Sequence, residues 1–507
     1  MKKVLIFTIH NDYMSLDLGI TKYNEGYDVY FVSCDESVGI CGFFNPRGCT
    51  AICRLCKKAM KKQIMDLVNT DKERYHYLSV SSLMTAEIKH HADNLSFAYE
   101  GTKELKSLVY KDVEIGFAAF SAFVSLTRNV MPTYNDALKS YLNDVLKSEV
   151  RLTDALCAFI DKIKPNLIVF HNGRMPNCKP LYGLAKAKCI DFISTERIPA
   201  NGECIMDNFP NDIPHSNLAL HKKIDIRWAE AGEEKYEIGR KFYENRYHSM
   251  SAGDTIYTKN QKLGELPIGF DASKRNIAIF NSSEDEYFSV SKDWDEACMF
   301  PTQYVALKTI FEHYKDNRDI HFYLRIHPNL ANVPYKSHTL LYELKYDNVT
   351  IIEPSSPISS YTLMENSEKI LVFGSTMGLE SSYWGKPVIT MCGCFYSNKG
   401  VVYEPKNEIE LFILIDNKNL PCKEAPKEVY YKLAYRLMRQ VGDKLNFFKC
   451  NEKVVTIPVI NKPVKVFSAF KLCGSPFLYG LLYEAFDRIA EWGLFTKYGK
   501  RYMKKTI

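Results

Sequence analysis

Along most of this chain, short unbroken apolar runs alternate with stretches of helical periodicity. Residues 3–9 read as a strand buried on both faces, 13–24 as a helix that Gly26 stops, and 28–33 as the next strand. Helical periodicity returns over 140–162, followed by a buried strand at 166–170, a helix at 179–188 and a strand at 190–194. Gly264, Pro267 and Gly269 then interrupt the pattern, and a second series begins. It predicts strands at 276–280, 321–326, 349–352, 370–373 and 388–391, with a helix at 302–314. Strands alternating with helices predict doubly wound parallel sheets, which take ligands at the carboxyl ends of their strands. Residues 41–131 break the alternation and are expected to form a cysteine-rich, mostly helical insertion. The predicted division is 1–265, 266–450 and a tail, 451–507.

At 507 residues the chain exceeds one core. With 46% hydrophobic and 25% charged residues it has the make-up of a globular protein, and no apolar run reaches membrane-spanning length. His10, Asn11 and Asp12 end the first apolar run too early for a secretory signal, and 15 scattered cysteines fit a reducing cytoplasm better than a disulfide framework. The net charge of +6 resides in the tail, where ten Lys or Arg face four Asp or Glu. No GxGxxG fingerprint follows the first strand, which weighs against a dinucleotide-dependent oxidoreductase.

The richest chemistry is in the last third. The strand at 370–373 breaks at Gly374, presents Ser375 and Thr376, and enters a helix. A helix start after a small-residue turn offers free N–H groups and a positive dipole end to a phosphate. Glu380, one turn in, can accept hydrogen bonds from ribose hydroxyls. Arg325 and His327 end a neighbouring strand and add cationic or donor contacts. Together these residues read as a nucleotide-sugar site, although His327 taken alone reads better as a strand-end histidine. Ser282 and Ser283, after the first strand of the second series, can donate to phosphate, and Glu284 can serve as acid or base; the same cluster also suits a solvated helix cap.

Two further features stand apart. Cys41, Cys49, Cys53 and Cys56 can hold a structural zinc, with an iron–sulfur cluster or plain buried thiols as alternatives. The tail carries aromatic and aliphatic residues followed by Lys497, Lys500, Arg501, Lys504 and Lys505. Such a segment can lie on an anionic membrane surface or pack as a terminal helix. Nothing else in the chain supports a nucleic-acid partner.

The segment ENSEKILVFGSTMGLESSYWGKPVITMCGCFY, residues 365–396, resembles the signature of the bacterial capsule polysaccharide biosynthesis glycosyltransferases, a group that includes Kdo transferases. The RIHP of residues 325–328 resembles their His-Pro motif, and residues 171–216 are similar to an NGR, Glu-Arg, Pro-His series in related surface-carbohydrate enzymes. The resemblance implies a GT-B fold, two Rossmann-like domains facing a cleft. It implies transfer of a sugar from a nucleotide donor, with CMP-Kdo favoured, to a capsule or lipopolysaccharide glycan that is free or lipid-linked. His327, Ser375 and Thr376 would hold the donor phosphate, and Glu380 the ribose or base. An inverting, metal-independent mechanism needs a general base within reach of the acceptor hydroxyl. Glu196 ranks first for that role, ahead of Asp12 and His10. Asn172, Arg174 and Arg197 would position substrate. The implied enzyme is cytoplasmic and peripheral on the inner membrane face. A UDP- or GDP-sugar donor, a sugar-nucleotide epimerase and a teichoic-acid type polyol-phosphate transferase remain as alternatives.

Overall fold

The computed structural model describes residues 1–9, 13–41, 53, 61, 64–200, 203–250, 252, 257–331, 336–438 and 442–447. The chain divides into two compact units, the first made of residues 1–127, 132–215 and 442 onward, the second of 128–131 and 216–441.

The first unit is built on β1 (Lys3–Thr8), β2 (Asp28–Ser33), β3 (Tyr75–Ser79), β4 (Leu167–His171), β5 (Asp191–Ala200) and β6 (Glu203–Pro210), closed by β12 (Asp443–Lys444). Their order is β12-β6-β5-β4-β1-β2-β3. The five strands β5-β4-β1-β2-β3 are parallel, while β6 folds back antiparallel on β5 and β12 adds antiparallel to β6. Val4–Phe7 are fully buried, as their unbroken apolar run requires. The helix Asp136–Ile163 starts at Asn135, whose side chain accepts from the Leu138 N–H, and ends at Lys164 in a left-handed turn.

The second unit holds β7 (Arg275–Phe280), β8 (Ile320–Arg325), β9 (Val349–Ile352), β10 (Lys369–Val372) and β11 (Val388–Thr390) in the order β11-β10-β7-β8-β9, all parallel. Counted from the first strand of each unit, both parallel sheets read 5-4-1-2-3, so the two Rossmann-like units expected for a GT-B protein are both present. Lys369, at the foot of β10, is fully buried, and its ammonium donates to the carbonyls of Leu414, Ile415 and Asn417 at 2.7–3.1 Å. It thereby ties the end of the helix Glu408–Asp416 to the sheet.

Three expectations need correction. The span 41–131 is not wholly an insertion, because residues 75–79 supply β3, paired residue by residue with β2. A strand of 5 residues with a mixed burial pattern leaves too short a periodic signal to stand out. The boundary lies near residue 215 rather than 265. The helices Asn217–Glu230 and Glu234–Tyr247 bury Ile224, Phe242 and Tyr243 in one core with Leu433 and Ala434 of the helix Lys427–Leu437. There Gly239 permits close approach, since a Cβ would lie 2.6 Å from the Tyr431 carbonyl oxygen. Finally, residues 442–447 return to the first unit, where the Phe447 N–H donates to Asp17 at 2.7 Å. Cys41 and Cys53 are buried. Cys49, Cys56, His10, Asp12 and the 451–507 tail lie outside the described residues. Among the described residues no helix is long and apolar enough to cross a membrane.

Candidate functional site

In the second unit the strand order reverses between β7 and β10, the point at which a doubly wound sheet opens a crevice at its carboxyl edge. Three strand ends meet there. β7 runs into Asn281, β8 into Arg325, His327 and Pro328, and β10 into Gly374 and Ser375. They line one pocket that is open to solvent. Gly374 makes the turn at φ 70°, with the Gly393 carbonyl oxygen only 3.3 Å from where a Cβ would stand. Ser375 then caps the helix Thr376–Tyr383, its hydroxyl accepting from the Met377 N–H at 3.3 Å. The first turn of that helix is part of the pocket wall.

The charge pattern is unusual. Arg325 is 3% exposed, yet among the described residues its guanidinium donates only to the Ser356 carbonyl, at 3.0 Å. Among the described residues its Nε and Nη1 have no partner, and burial pushes the group down to about 10. Burying a cation is costly unless a counter-charge accompanies it. His327 takes a backbone bond from its own N–H to Asn281 Oδ1 at 2.7 Å, and its Nδ1 lies 2.6 Å from Asn329 Oδ1. Burial holds its imidazole below the usual range, opposed by the Asn329 bond and reinforced by Arg246 and Arg325. Tyr257 packs edge-on against the ring at 4.9 Å. Glu380 is 2% exposed and accepts a hydrogen bond from the Tyr361 hydroxyl. Arg246 stands 3.6 Å from the other Glu380 oxygen and donates to Thr376 Oγ1 at 3.1 Å. The pocket thus offers one unpaired cation, a helix start and an oriented carboxylate.

Of the residues expected to bind donor, Arg325, His327, Ser375, Thr376 and Glu380 come together in this pocket. Ser282, Ser283 and Glu284 line an adjoining smaller one with Arg128. Their groups turn to the protein: Ser282 Oγ donates to the Phe373 carbonyl at 2.6 Å, Ser283 Oγ to Asp285, and Glu284 accepts from the Gln303 N–H. Burial lifts Glu284 to about 7, against the pull of that N–H bond. Arg246, Tyr361, Tyr257 and Gln261 were not legible beforehand. Arg246 comes from a helix that carries no motif, and nothing local marks the others.

In the first unit, β4 ends at His171 and the chain turns through Asn172 at φ 61°. The Asn172 amide donates to Glu196 and lies 2.9 Å from His215 Nε2. The Arg174 N–H returns to Asn172 Oδ1 at 3.2 Å, and its guanidinium reaches Ser125 Oγ at 3.1 Å. Glu196 was expected just past a strand; it sits within β5, opposite Asp207 of β6. His215, the histidine of the Pro-His pair in the 171–216 resemblance, is kept neutral, its imidazole driven down to about 3 by burial and then by the Arg174 charge. Arg197 follows in β5, with its side chain outside the described residues.

No protein-family model and no curated protein sequence matches this chain. Among solved structures it is similar to the beta Kdo 2,4 transferase KpsC of Thermosulfurimonas dismutans, at 14% identity over 60% of this chain and 85% of that one, TM-score 0.35. It is also similar to a putative UDP-N-acetylglucosamine 2-epimerase from Listeria monocytogenes, at 11% identity over 88% and 92%, TM-score 0.25. A third is the glycosyltransferase SsfS6 of Streptomyces sp. SF2575, complexed with thymidine diphosphate, at 9% identity over 87% and 97%, TM-score 0.23. On its own strand order the chain is an α/β protein of two Rossmann-like units, each with a polar cluster at the carboxyl edge of its sheet.

Proposed function

We propose that this chain is a glycosyltransferase whose nucleotide-sugar donor binds in the second unit, with a CMP-activated acid sugar such as CMP-Kdo as the leading donor. The observation that carries the reading is Arg325, buried with two unpartnered guanidinium nitrogens beside a helix N-terminus. A phosphate brought there supplies the missing charge and accepts from N–H groups already in place. One uncompensated cation suits the single charge of a nucleoside monophosphate diester better than the two of a diphosphate. Glu380, oriented by Tyr361 and Arg246, is suited to accept from ribose hydroxyls.

Glu196 is the proposed general base, removing the acceptor hydroxyl proton as the nucleotide departs with inversion. What supports it is the Asn172 bond, which fixes the carboxylate, and a neutral His215 beside it, which does not compete for that charge. The leaving phosphate is stabilised by Arg325, His327 and the helix start. A capsule or lipopolysaccharide glycan as acceptor, and inner-membrane contact through the basic tail, rest on the sequence.

The test is calorimetric titration with CMP, UDP, GDP, ADP and CDP-glycerol, followed by product analysis with the activated sugar of the tightest binder. Tight CMP binding that is lost in Arg325→Met, with sugar appearing on an added glycan, supports the proposal. A C2-epimer formed without acceptor would make the protein an epimerase, and transfer of a polyol phosphate would place it with the teichoic-acid enzymes.

A further inference from the structure

Behind the Gly374–Ser375 turn lies a small cavity lined by Cys298 and Cys392, together with Glu284, Tyr287, Gln303 and Phe373. The two cysteines are remote in sequence but held face to face. The Met299 N–H donates to the Met391 carbonyl at 3.2 Å, and a Cβ on Gly393 would lie 2.7 Å from the Ala297 Cβ. These two contacts, one on each side of the cysteines, hold the Cys298 and Cys392 segments against each other at the wall of the cavity, the proximity that a disulfide requires. Both are free thiols, Cys392 buried and Cys298 partly exposed, and Cys298 Sγ donates to the Trp294 carbonyl at 3.3 Å.

We propose that Cys298 and Cys392 form a reversible disulfide that tunes the neighbouring anion pocket, the oxidant being a low-molecular-weight disulfide. The Cys298 thiolate attacks one sulfur of that disulfide, forms a mixed disulfide and expels a thiolate. Cys392 then gives up its proton, attacks the Cys298 sulfur and expels the second thiolate. Two protein thiols become one disulfide, one small disulfide becomes two thiols, and the two protons pass to the leaving thiolates. Cys298 acts first because it is the one an oxidant can reach.

The pocket feels this through Gly374. Cys392 Sγ lies 3.4 Å from where a Cβ on Gly374 would stand, so the sulfur braces the turn that carries Ser375. A sulfur–sulfur bond of about 2.05 Å draws Cys392 toward Cys298 and away from that turn. This coupling, unlike the disulfide itself, rests on the nucleotide-site reading.

The full chain is incubated with oxidised glutathione, free thiols are alkylated, and peptides are mapped by mass spectrometry. The expected result is a crosslink between Cys298 and Cys392 that dithiothreitol removes. Cys298→Ser, the substitution at the less packed position, should lack it. CMP titration of the oxidised protein should show affinity lower by about fivefold, since close-packed interiors transmit such shifts. If either cysteine stays free, or carries only glutathione, while other cysteines oxidise, the disulfide is refuted. A crosslink with unchanged CMP affinity refutes the coupling. A crosslink in a protein that binds no nucleotide in either state supports the disulfide and overturns the nucleotide reading.

Discussion

The two sheets share the strand order 5-4-1-2-3, yet the polar groups at their carboxyl edges are satisfied in different ways. In the second unit a buried guanidinium is left with two unsatisfied nitrogens beside a helix start. In the first, the Asn172 amide is already shared between a carboxylate and a neutral imidazole. One edge holds a buried cation beside a pocket; the other holds a carboxylate already bonded to an amide. Topology fixes where polar clusters can sit, and a few side chains decide their character.

The sharpest way to separate the two edges is Glu196→Gln, which keeps an acceptor for the Asn172 amide but removes the base. Transfer rate should fall by about 10²–10⁴-fold with donor affinity within about twofold, as single-turnover kinetics and calorimetry would show. Full turnover in that variant would remove Glu196 from the mechanism. Arg325→Met should act on the other edge, weakening donor binding by about 100-fold through the loss of charge-assisted hydrogen bonds. The same change should raise the melting temperature of the ligand-free protein, because a buried unpaired charge is gone. A variant that is both weaker in binding and less stable would mean that Arg325 is structural.

His327 gives a smaller, pH-dependent effect. Its imidazole is held below the usual range in the free protein, and a bound phosphate raises it, so binding takes up a proton. Affinity should be greatest below the free-state value and fall about tenfold per pH unit until the bound-state value is passed. Calorimetry in buffers of different ionisation enthalpy measures the uptake, and His327→Gln should abolish it. Tyr361→Phe removes one hydrogen bond to Glu380, worth about 1 kcal/mol, and should weaken nucleoside binding by about fivefold while leaving inorganic phosphate binding unchanged. Equal losses for both ligands would take Glu380 away from the ribose.

Much of this was legible in the chain. The strands at 28–33 and 349–352 match their expected limits, the first because a mostly buried parallel strand is rich in apolar residues. The turn at Gly374 and the cap at Ser375 were readable because helix starts have local chemical rules. β6 and β3 were missed, since a hairpin return and a five-residue strand carry little period of their own. Ser282 and Ser283 show the reverse difficulty: their residue type suits phosphate, but nothing local reveals that their hydroxyls are spent on Phe373 and Asp285.

The sequence alone determined most of the strand and helix alternation and the RIHP and GST turns, since each depends on neighbours only a few residues away. Only the tertiary structure decided that Arg325 would lack a counter-ion among the described residues, that Arg246 and Tyr361 would hold Glu380, and that Cys298 and Cys392 would line one cavity. Those outcomes depend on which distant side chains arrive within a few ångströms. Once water is excluded, that proximity sets whether a charge is satisfied and whether two thiols can meet.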